Sequence, residues 1–140
     1  MSTSIIRRAF ETRLAAWAAA QTPPLLIAYE NARFTAPAGI YLRAFMLESP
    51  TISSTIDRLH REFGGIFQVS VVGAPLGGIG AVQAVAEAIA ALYPTNVPLE
   101  QDGVKIWLEE PMSLGPTIME ADRAVKPVSC PYHCDVFVGA

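Results

Sequence analysis

The sequence predicts an α/β (α+β) fold, in which a mixed, mostly antiparallel β-sheet carries two main helices packed on it. Residues 64–72 are rich in β-branched and aromatic side chains and predict a strand, residues 73–80 predict a loop, and residues 81–93 predict an alanine-rich helix. An apolar stripe with helical spacing near the N-terminus predicts the other helix.

The first helix is predicted over residues 2–21. Four large apolar side chains form its core stripe: Ile6, Phe10, Leu14 and Trp17. Pro23 and Pro24 end the helix. A short strand is predicted over residues 25–29, and residues 30–39 read as a loop because they contain asparagine, proline and glycine.

The next strand is predicted over residues 40–48 and has apolar side chains on both faces. Residues 54–62 predict a weaker strand, chiefly because Gly64 and Gly65 can turn the chain into the following strand. A helix over residues 55–63 is the alternative for this segment.

The second helix has a core stripe at helical spacing: Val82, Val85, Ile89 and Leu92. Its only polar side chains, Gln83 and Glu87, are four residues apart and share one narrow face. Small side chains elsewhere let a neighbour come close: Ala81, Ala84, Ala88 and Ala91. We expect that neighbour to be the chain's own sheet, with a partner subunit as the alternative.

After this helix, alternation over residues 104–109 predicts a strand, and residues 111–122 predict a loop. Residues 128–138 predict the strand that closes the sheet. Because proline cannot donate a backbone hydrogen bond, Pro127 and Pro131 place this last strand at an edge.

Composition predicts a single domain over residues 1–140 that associates with a partner. Hydrophobic residues make up 51% of the chain and charged residues only 16%, against about 25% charged in ordinary soluble domains. Because so few charges are available to cover the surface, we expect an oligomer that buries apolar area. No stretch reaches the roughly 20 apolar residues that span a bilayer, so we expect no membrane contact and a soluble or cytoplasmic protein.

Charge is unevenly distributed along the chain. Residues 1–61 contain seven arginines and four acids, whereas residues 62–140 contain three cations and nine acids. We expect folding to scatter these charges; the alternative is two opposed faces suited to head-to-tail association. A net charge of −3 without a basic stripe argues against nucleic-acid recognition.

The loop from Gly73 to Gly80 lies between a strand and a helix, as a phosphate-binding loop does. A Walker loop needs lysine and then serine or threonine after its glycine, but here Ile79 and Gly80 follow Gly78, and no G-x-G-x-x-G pattern exists. We therefore expect these glycines to serve the backbone conformation, with no cofactor.

Cys130, His133 and Cys134 lie within five residues, a spacing that suggests a metal site. On a strand, however, the two cysteines would be about 13 Å apart, too far for a disulfide or a single tetrahedral zinc ion. We predict two buried thiols and no metal.

No catalytic site is predicted. His60 has Asp57 close in sequence, and we interpret the two as a solvated pair because no nucleophile is near. Glu109 and Glu110 are adjacent, so on a strand they point to opposite faces and cannot act together as acid and base.

Several motifs follow one another in a characteristic order: Phe10, Arg13, Leu14 and Trp17; Glu30-Asn31 with Phe34 and Pro37; residues 65–69; and Pro75 with Gly77 before the alanine-rich helix. This order, over residues 5–93, resembles the tail terminator-like family of long-tailed bacteriophages. The segment from Pro111 to Arg123 matches no pattern of this kind.

The resemblance implies a non-enzymatic protein of the virion tail, assembled in the host bacterial cytoplasm. Such a protein forms a ring, typically a hexamer, that caps the tail tube, ends its polymerisation and offers a surface for joining the head. Its implied partners are copies of itself, the tail tube protein and a head-completion or neck protein.

The contact residues predicted for this role are Arg33 and Phe34, chosen as exposed loop residues that would meet another subunit or the tube; a purely structural turn is the alternative. Two other functions stay open. One is a different neck or head-tail joining protein, and the other is a small-ligand enzyme that uses the loop from Gly73 to Gly80.

Overall fold

The computed structural model describes residues 2–30, 32–53, 56 and 59–137. Within them, two helices and eight strands follow one another in this order: α1 (Ser2–Ala19), β1 (Leu26–Tyr29), β2 (Tyr41–Glu48), β3 (His60–Val72), α2 (Gly80–Leu92), β4 (Leu99–Gln101), β5 (Val104–Leu108), β6 (Ser113–Leu114), β7 (Ile118–Glu120) and β8 (Arg123–Phe137). The sheet has the order β1-β2-β3-β8-β5-β4, with β6 and β7 also paired to β8. Only β1 and β2 are parallel. The predicted α+β fold with a mostly antiparallel sheet is therefore confirmed.

Both helices pack their apolar stripes into one core on the same face of the sheet. Ile6, Phe10 and Leu14 of α1 are completely buried, and Trp17 is half-buried. The phenyl ring of Phe10 stacks on Phe67 of β3, with the ring centroids 4.5 Å apart. The predicted core stripe of α1 is thus confirmed.

The second helix also packs on the sheet as predicted, through one side only. Val82, Ala86 and Ile89 are buried, and Val85 and Leu92 are half-buried. The four alanines that were expected to admit a neighbour are all exposed: Ala81, Ala84, Ala88 and Ala91. The alanines therefore do not admit the chain's own sheet, which reaches α2 from the opposite side.

Gly64 and Gly65 do not turn the chain, so the prediction of a separate strand over residues 54–62 is wrong. β3 runs through both glycines without interruption, and Gly65 lies opposite Glu48 of β2 and Tyr132 of β8. A Cβ atom on Gly65 would overlap the carbonyl oxygen of Leu47 and lie 2.8 Å from the Tyr132 hydroxyl. Glycine is present here because neighbouring atoms come close. Residues 54, 55, 57 and 58 of the predicted segment lie outside the described residues.

β8 lies between β3 and β5 in the middle of the sheet, so the predicted edge position is wrong. The N–H and C=O groups of one strand residue point to the same side. The carbonyls of Pro127 and Pro131 accept hydrogen bonds from the N–H groups of Gly115 and Glu109, at 2.8 and 3.1 Å. The side of each proline that lacks an N–H group therefore faces the short strands β5, β6 and β7 and not β3. These short strands pair with only parts of β8. Residue 138, the predicted end of this strand, lies outside the described residues.

Three short strands were not predicted. β6 and β7 lie inside residues 111–122, which were expected to be a loop, and β4 precedes the correctly predicted β5. A hairpin joins β4 to β5 through Asp102 and Gly103, both with positive φ (52° and 80°). An Asp-Gly pair is the usual signature of such a two-residue turn, so the sequence contained a signal for β4.

Candidate assembly surfaces

The face of the sheet opposite the helices, the outer face, carries a row of exposed apolar side chains. Leu47, Ile66 and Pro131 are direct cross-strand neighbours on β2, β3 and β8. Leu47 is 60% exposed and Ile66 is 41% exposed. Trp107 of β5 continues the row beside His133 and is also exposed. A contiguous apolar patch of this kind is typical of a protein-protein contact.

A pocket of about 340 Å³ opens on this face where β3 begins. Its lining includes two acidic residues, one histidine and several apolar or small residues: Glu62, Glu109, His133, Gly64, Gly65 and Ile66. The pocket therefore combines apolar residues with two acidic residues and a histidine.

Both histidines lie near this pocket, and each is paired with a carboxylate. The Nδ1 atom of His133 lies 3.6 Å from Oε1 of Glu109, and the Nε2 atom of His60 lies 2.7 Å from Oδ1 of Asp135. His60 is buried, so the prediction of a solvated histidine is wrong, and its predicted partner Asp57 lies outside the described residues. Within the described residues, no group of three or more His, Cys, Asp or Glu side chains is placed to hold a metal ion.

The loop between β1 and β2 contains the two predicted contact residues, and it lies at the other end of β3. The ring of Phe34 packs on Tyr41, with the centroids 5.1 Å apart, and joins a small cluster with Val72 and Val125. Arg33 is exposed. Phe34 therefore anchors the loop, and a role for either residue in a contact stays a prediction.

Arg123, the first residue of β8, holds this loop and the start of the loop after β3. Its guanidinium donates hydrogen bonds to the carbonyl oxygens of Pro37 (2.7 Å), Gly39 (3.3 Å) and Gly73 (3.4 Å). Its Cζ atom also lies 5.3 Å from the ring centre of Tyr41. The sequence gives no local signal for this arrangement, because Arg123 lies more than 80 residues from Pro37 and Gly39.

A second arginine makes a double ion pair on the outer face. The guanidinium of Arg43 donates to both carboxylate oxygens of Glu120, at 2.9 and 3.1 Å. These hydrogen bonds lower the pKa of Glu120 below its ordinary value and raise the pKa of Arg43. Sequence analysis missed this pair, since its members are far apart in the chain.

Glu30 of the Glu30-Asn31 motif directly follows β1, and its side chain extends the contact between β1 and β2. Its carboxylate accepts a hydrogen bond from the Met46 backbone N–H at 2.7 Å and forms an ion pair with Arg7 at 3.2 Å. Asn31 lies outside the described residues.

Replacing Glu30 with alanine is expected to lower the free energy of unfolding by about 1–3 kcal/mol, because the Met46 N–H loses a charged acceptor. Urea denaturation at one fixed protein concentration measures this change. Glu30→Gln is the matched control: it keeps an acceptor oxygen, so it should lose less than the alanine variant. Equal losses in both variants would show that the hydrogen bond to Met46 does not contribute.

The loop from Gly73 to Gly80 has a conformational role, as predicted, at two positions. A Cβ atom on Gly73 would lie 2.7 Å from Cγ2 of Val82, so glycine lets α2 approach the end of β3. Gly78 has a φ of 77°, in the left-handed region that favours glycine. Leu76, in the same loop, is 87% exposed.

Cys130 and Cys134 are free, completely buried thiols on β8, as predicted. Burial raises the pKa of Cys130 from 9.0 to about 12 and, together with the nearby charge of Asp135, the pKa of Cys134 from 9.0 to about 11. Both thiols therefore stay protonated in the folded chain at neutral pH.

These raised pKa values predict a loss of stability in alkali. Above pH 9 the thiols ionise in the unfolded chain while the folded chain keeps them neutral, so the free energy of unfolding should fall from about pH 9 until pH 11–12. Urea denaturation between pH 7 and pH 10.5 measures this slope. The double variant Cys130→Ala, Cys134→Ala should show a shallower slope than the parent chain; identical slopes would contradict the prediction.

The part of the chain that the structure describes contains no helix that is both long and apolar enough to cross a lipid bilayer.

Comparison with known proteins gives one family and a shared fold. A family model described as phage tail terminator protein matches residues 5–132. One solved chain, whose name is an identifier without a functional description, is 38% identical, covers 98% of both chains and has a TM-score of 0.83. Another, named as the virion of a native gene transfer agent particle, is 15% identical, covers 96% of this chain and 97% of its own, and has a TM-score of 0.62, which shows similarity of fold alone. A comparison with curated proteins gives no match.

Proposed function

Because the chain belongs to the phage tail terminator protein family, we propose that it closes the end of a tail tube as a ring of about six copies. In this role it stops the growth of the tube and presents its free side to head-completion or neck proteins. A member of this family is a structural protein of the virion tail and contacts other tail or head proteins. We also propose that this assembly takes place in the host cytoplasm.

The observation that carries the proposal is the family match over residues 5–132, nearly the whole chain. The surface supports it, because the outer face leaves Leu47, Ile66 and Trp107 exposed together. Only 16% of the residues are charged, which also favours a chain that buries surface in an assembly.

The proposed mechanism is steric and electrostatic. A ring with the same rotational symmetry as the tube can bind the last layer of tube subunits through one of its two faces. The opposite face of the ring differs from the face that a tube subunit presents. The next tube subunit therefore finds no matching surface, and growth ends. Arg33 and Phe34 are the proposed contact residues, because Tyr41 and Arg123 hold their loop in one conformation and little entropy is lost on binding.

Polymerisation of the tail tube protein in the presence and absence of this chain tests the proposal. If the chain is present from the start, tubes should be shorter, and negative-stain images should show one ring at a tube end. If it is added to finished tubes, it should bind the ends without changing their length. Tubes that bind the chain and continue to grow would contradict the capping role and favour another neck protein.

A further inference from the structure

One end of the sheet is strongly acidic. This acidic end surrounds the start of β3 and the pocket on the outer face. Its carboxylates come from three strands and the segment after β5: Glu48, Glu62, Glu109, Glu110 and Asp135. Glu62 and Glu109 line the pocket itself. Arg61, the neighbour of Glu62 on β3, adds one positive charge to this end. The apolar row of Leu47 and Ile66 borders the same pocket.

The opposite end of the sheet, the loop end, carries positive charge. It consists of the loop before β2, the loop after β3 and the β7-β8 turn. Arg43 is neutralised there by Glu120. Arg33 and Arg123 form no ion pair with a carboxylate among the described residues, and Asp122 is the opposing acid. Exposed apolar side chains lie at this end as well: Leu76, Ile118 and Met119.

These two ends cannot meet within one chain. Glu62 of the acidic end and Val72, which packs beside Phe34 at the loop end, are ten residues apart on one continuous strand. At about 3.3 Å per residue the separation is roughly 33 Å. Two complementary surfaces at opposite ends of one molecule join different copies head to tail, and a closed set of such contacts forms a ring.

We propose that Arg33 of one copy inserts its guanidinium into the pocket between Glu62 and Glu109 of the next copy. The pocket is lined by two acidic residues and His133, together with apolar groups. A planar guanidinium can bind a carboxylate through two parallel hydrogen bonds while its flat face packs on apolar atoms. The exposed apolar side chains of both ends surround this contact, so the interface has a charged anchor within an apolar patch.

This inference rests on the ring of the proposed function, and charge reversal tests it. The variants are Arg33→Glu and Glu109→Arg, each purified alone, mixed in equal amounts, and combined in one chain. The matched control is Arg8→Glu, an exposed arginine on α1 whose partner Asp102, like Arg8 itself, does not line the pocket. Solution mass against protein concentration measures assembly, and circular dichroism confirms that each variant is folded.

Each single reversal should raise the concentration needed for half-assembly at least about tenfold, because like charges then face each other. The combined variant and the equal mixture should both assemble like the parent chain; in the mixture the two variants alternate around an even-numbered ring. Arg8→Glu should assemble normally.

Three results would overturn the inference, and they are distinguishable. Rings that form equally well with Arg33→Glu would remove this contact while leaving the proposed tail-capping ring intact. A parent chain that stays monomeric at every concentration would remove both the contact and the self-assembling ring. A combined variant as weak as the single variants would also contradict the pairing of Arg33 with the acidic pocket.

Discussion

Replacing Gly65 with alanine is expected to lower the free energy of unfolding by about 3 kcal/mol or more, at the upper end of the cost of overpacking a core. The new Cβ atom would overlap the backbone oxygen of Leu47 and crowd the Tyr132 hydroxyl. Neither neighbour can move easily, since β2 and β8 are hydrogen-bonded to β3 on both sides of this position. Urea denaturation at a single, low protein concentration measures the loss.

Gly64 provides a matched control one residue away. A Cβ atom there would meet only the carbonyl oxygen of Tyr132, at 3.4 Å, which is an ordinary contact. Because alanine restricts the unfolded chain more than glycine, Gly64→Ala should be neutral or stabilising by up to about 1 kcal/mol. If the two variants are equally stable, the close approach at Gly65 does not constrain the chain.

Sequence reasoning succeeded for the two helices and failed at these two glycines. Periodicity identified both helices, because a stripe such as Ile6, Phe10 and Leu14 records directly which side of a helix is buried. The adjacent glycines suggested a turn, since a local pattern cannot reveal that Leu47 approaches Gly65 from another strand. The prolines of β8 misled for a similar reason, because only the sheet topology shows that β5 and β6 lie beside them.

The candidate contact site depends even more on long-range placement. Arg33 could be proposed from its exposed loop, but the pocket brings together Glu62 of β3 and Glu109, which follows β5. The unequal charge of the two halves of the sequence was a partial guide. Glu48 ends β2, Glu62 lies near the start of β3, and the other carboxylates come from the C-terminal part of the chain. Only the sheet topology shows that they converge.

Truncating Phe10 to alanine is the other substitution expected to have a large effect, a loss of about 3–5 kcal/mol of unfolding free energy. Phe10 is completely buried, and its ring lies 4.5 Å from Phe67, 5.4 Å from Tyr132 and 5.6 Å from Tyr93 between centroids. Its carbonyl oxygen also accepts a buried hydrogen bond from the Tyr93 hydroxyl at 2.7 Å. The cavity would therefore open where α1, α2 and the sheet meet.

Phe45 is the matched control for this prediction, because it is the same residue type on the outer face of β2 and is only half-buried. Phe45→Ala should cost at most about 2 kcal/mol, since its side chain is only partly buried and loses less apolar contact on truncation. If Phe10→Ala is too unstable to purify, Phe10→Leu retains most of the side-chain volume and should lose about 1–2 kcal/mol. Equal losses for Phe10→Ala and Phe45→Ala would contradict a core centred on Phe10, because the two faces of the sheet would then contribute alike to folding.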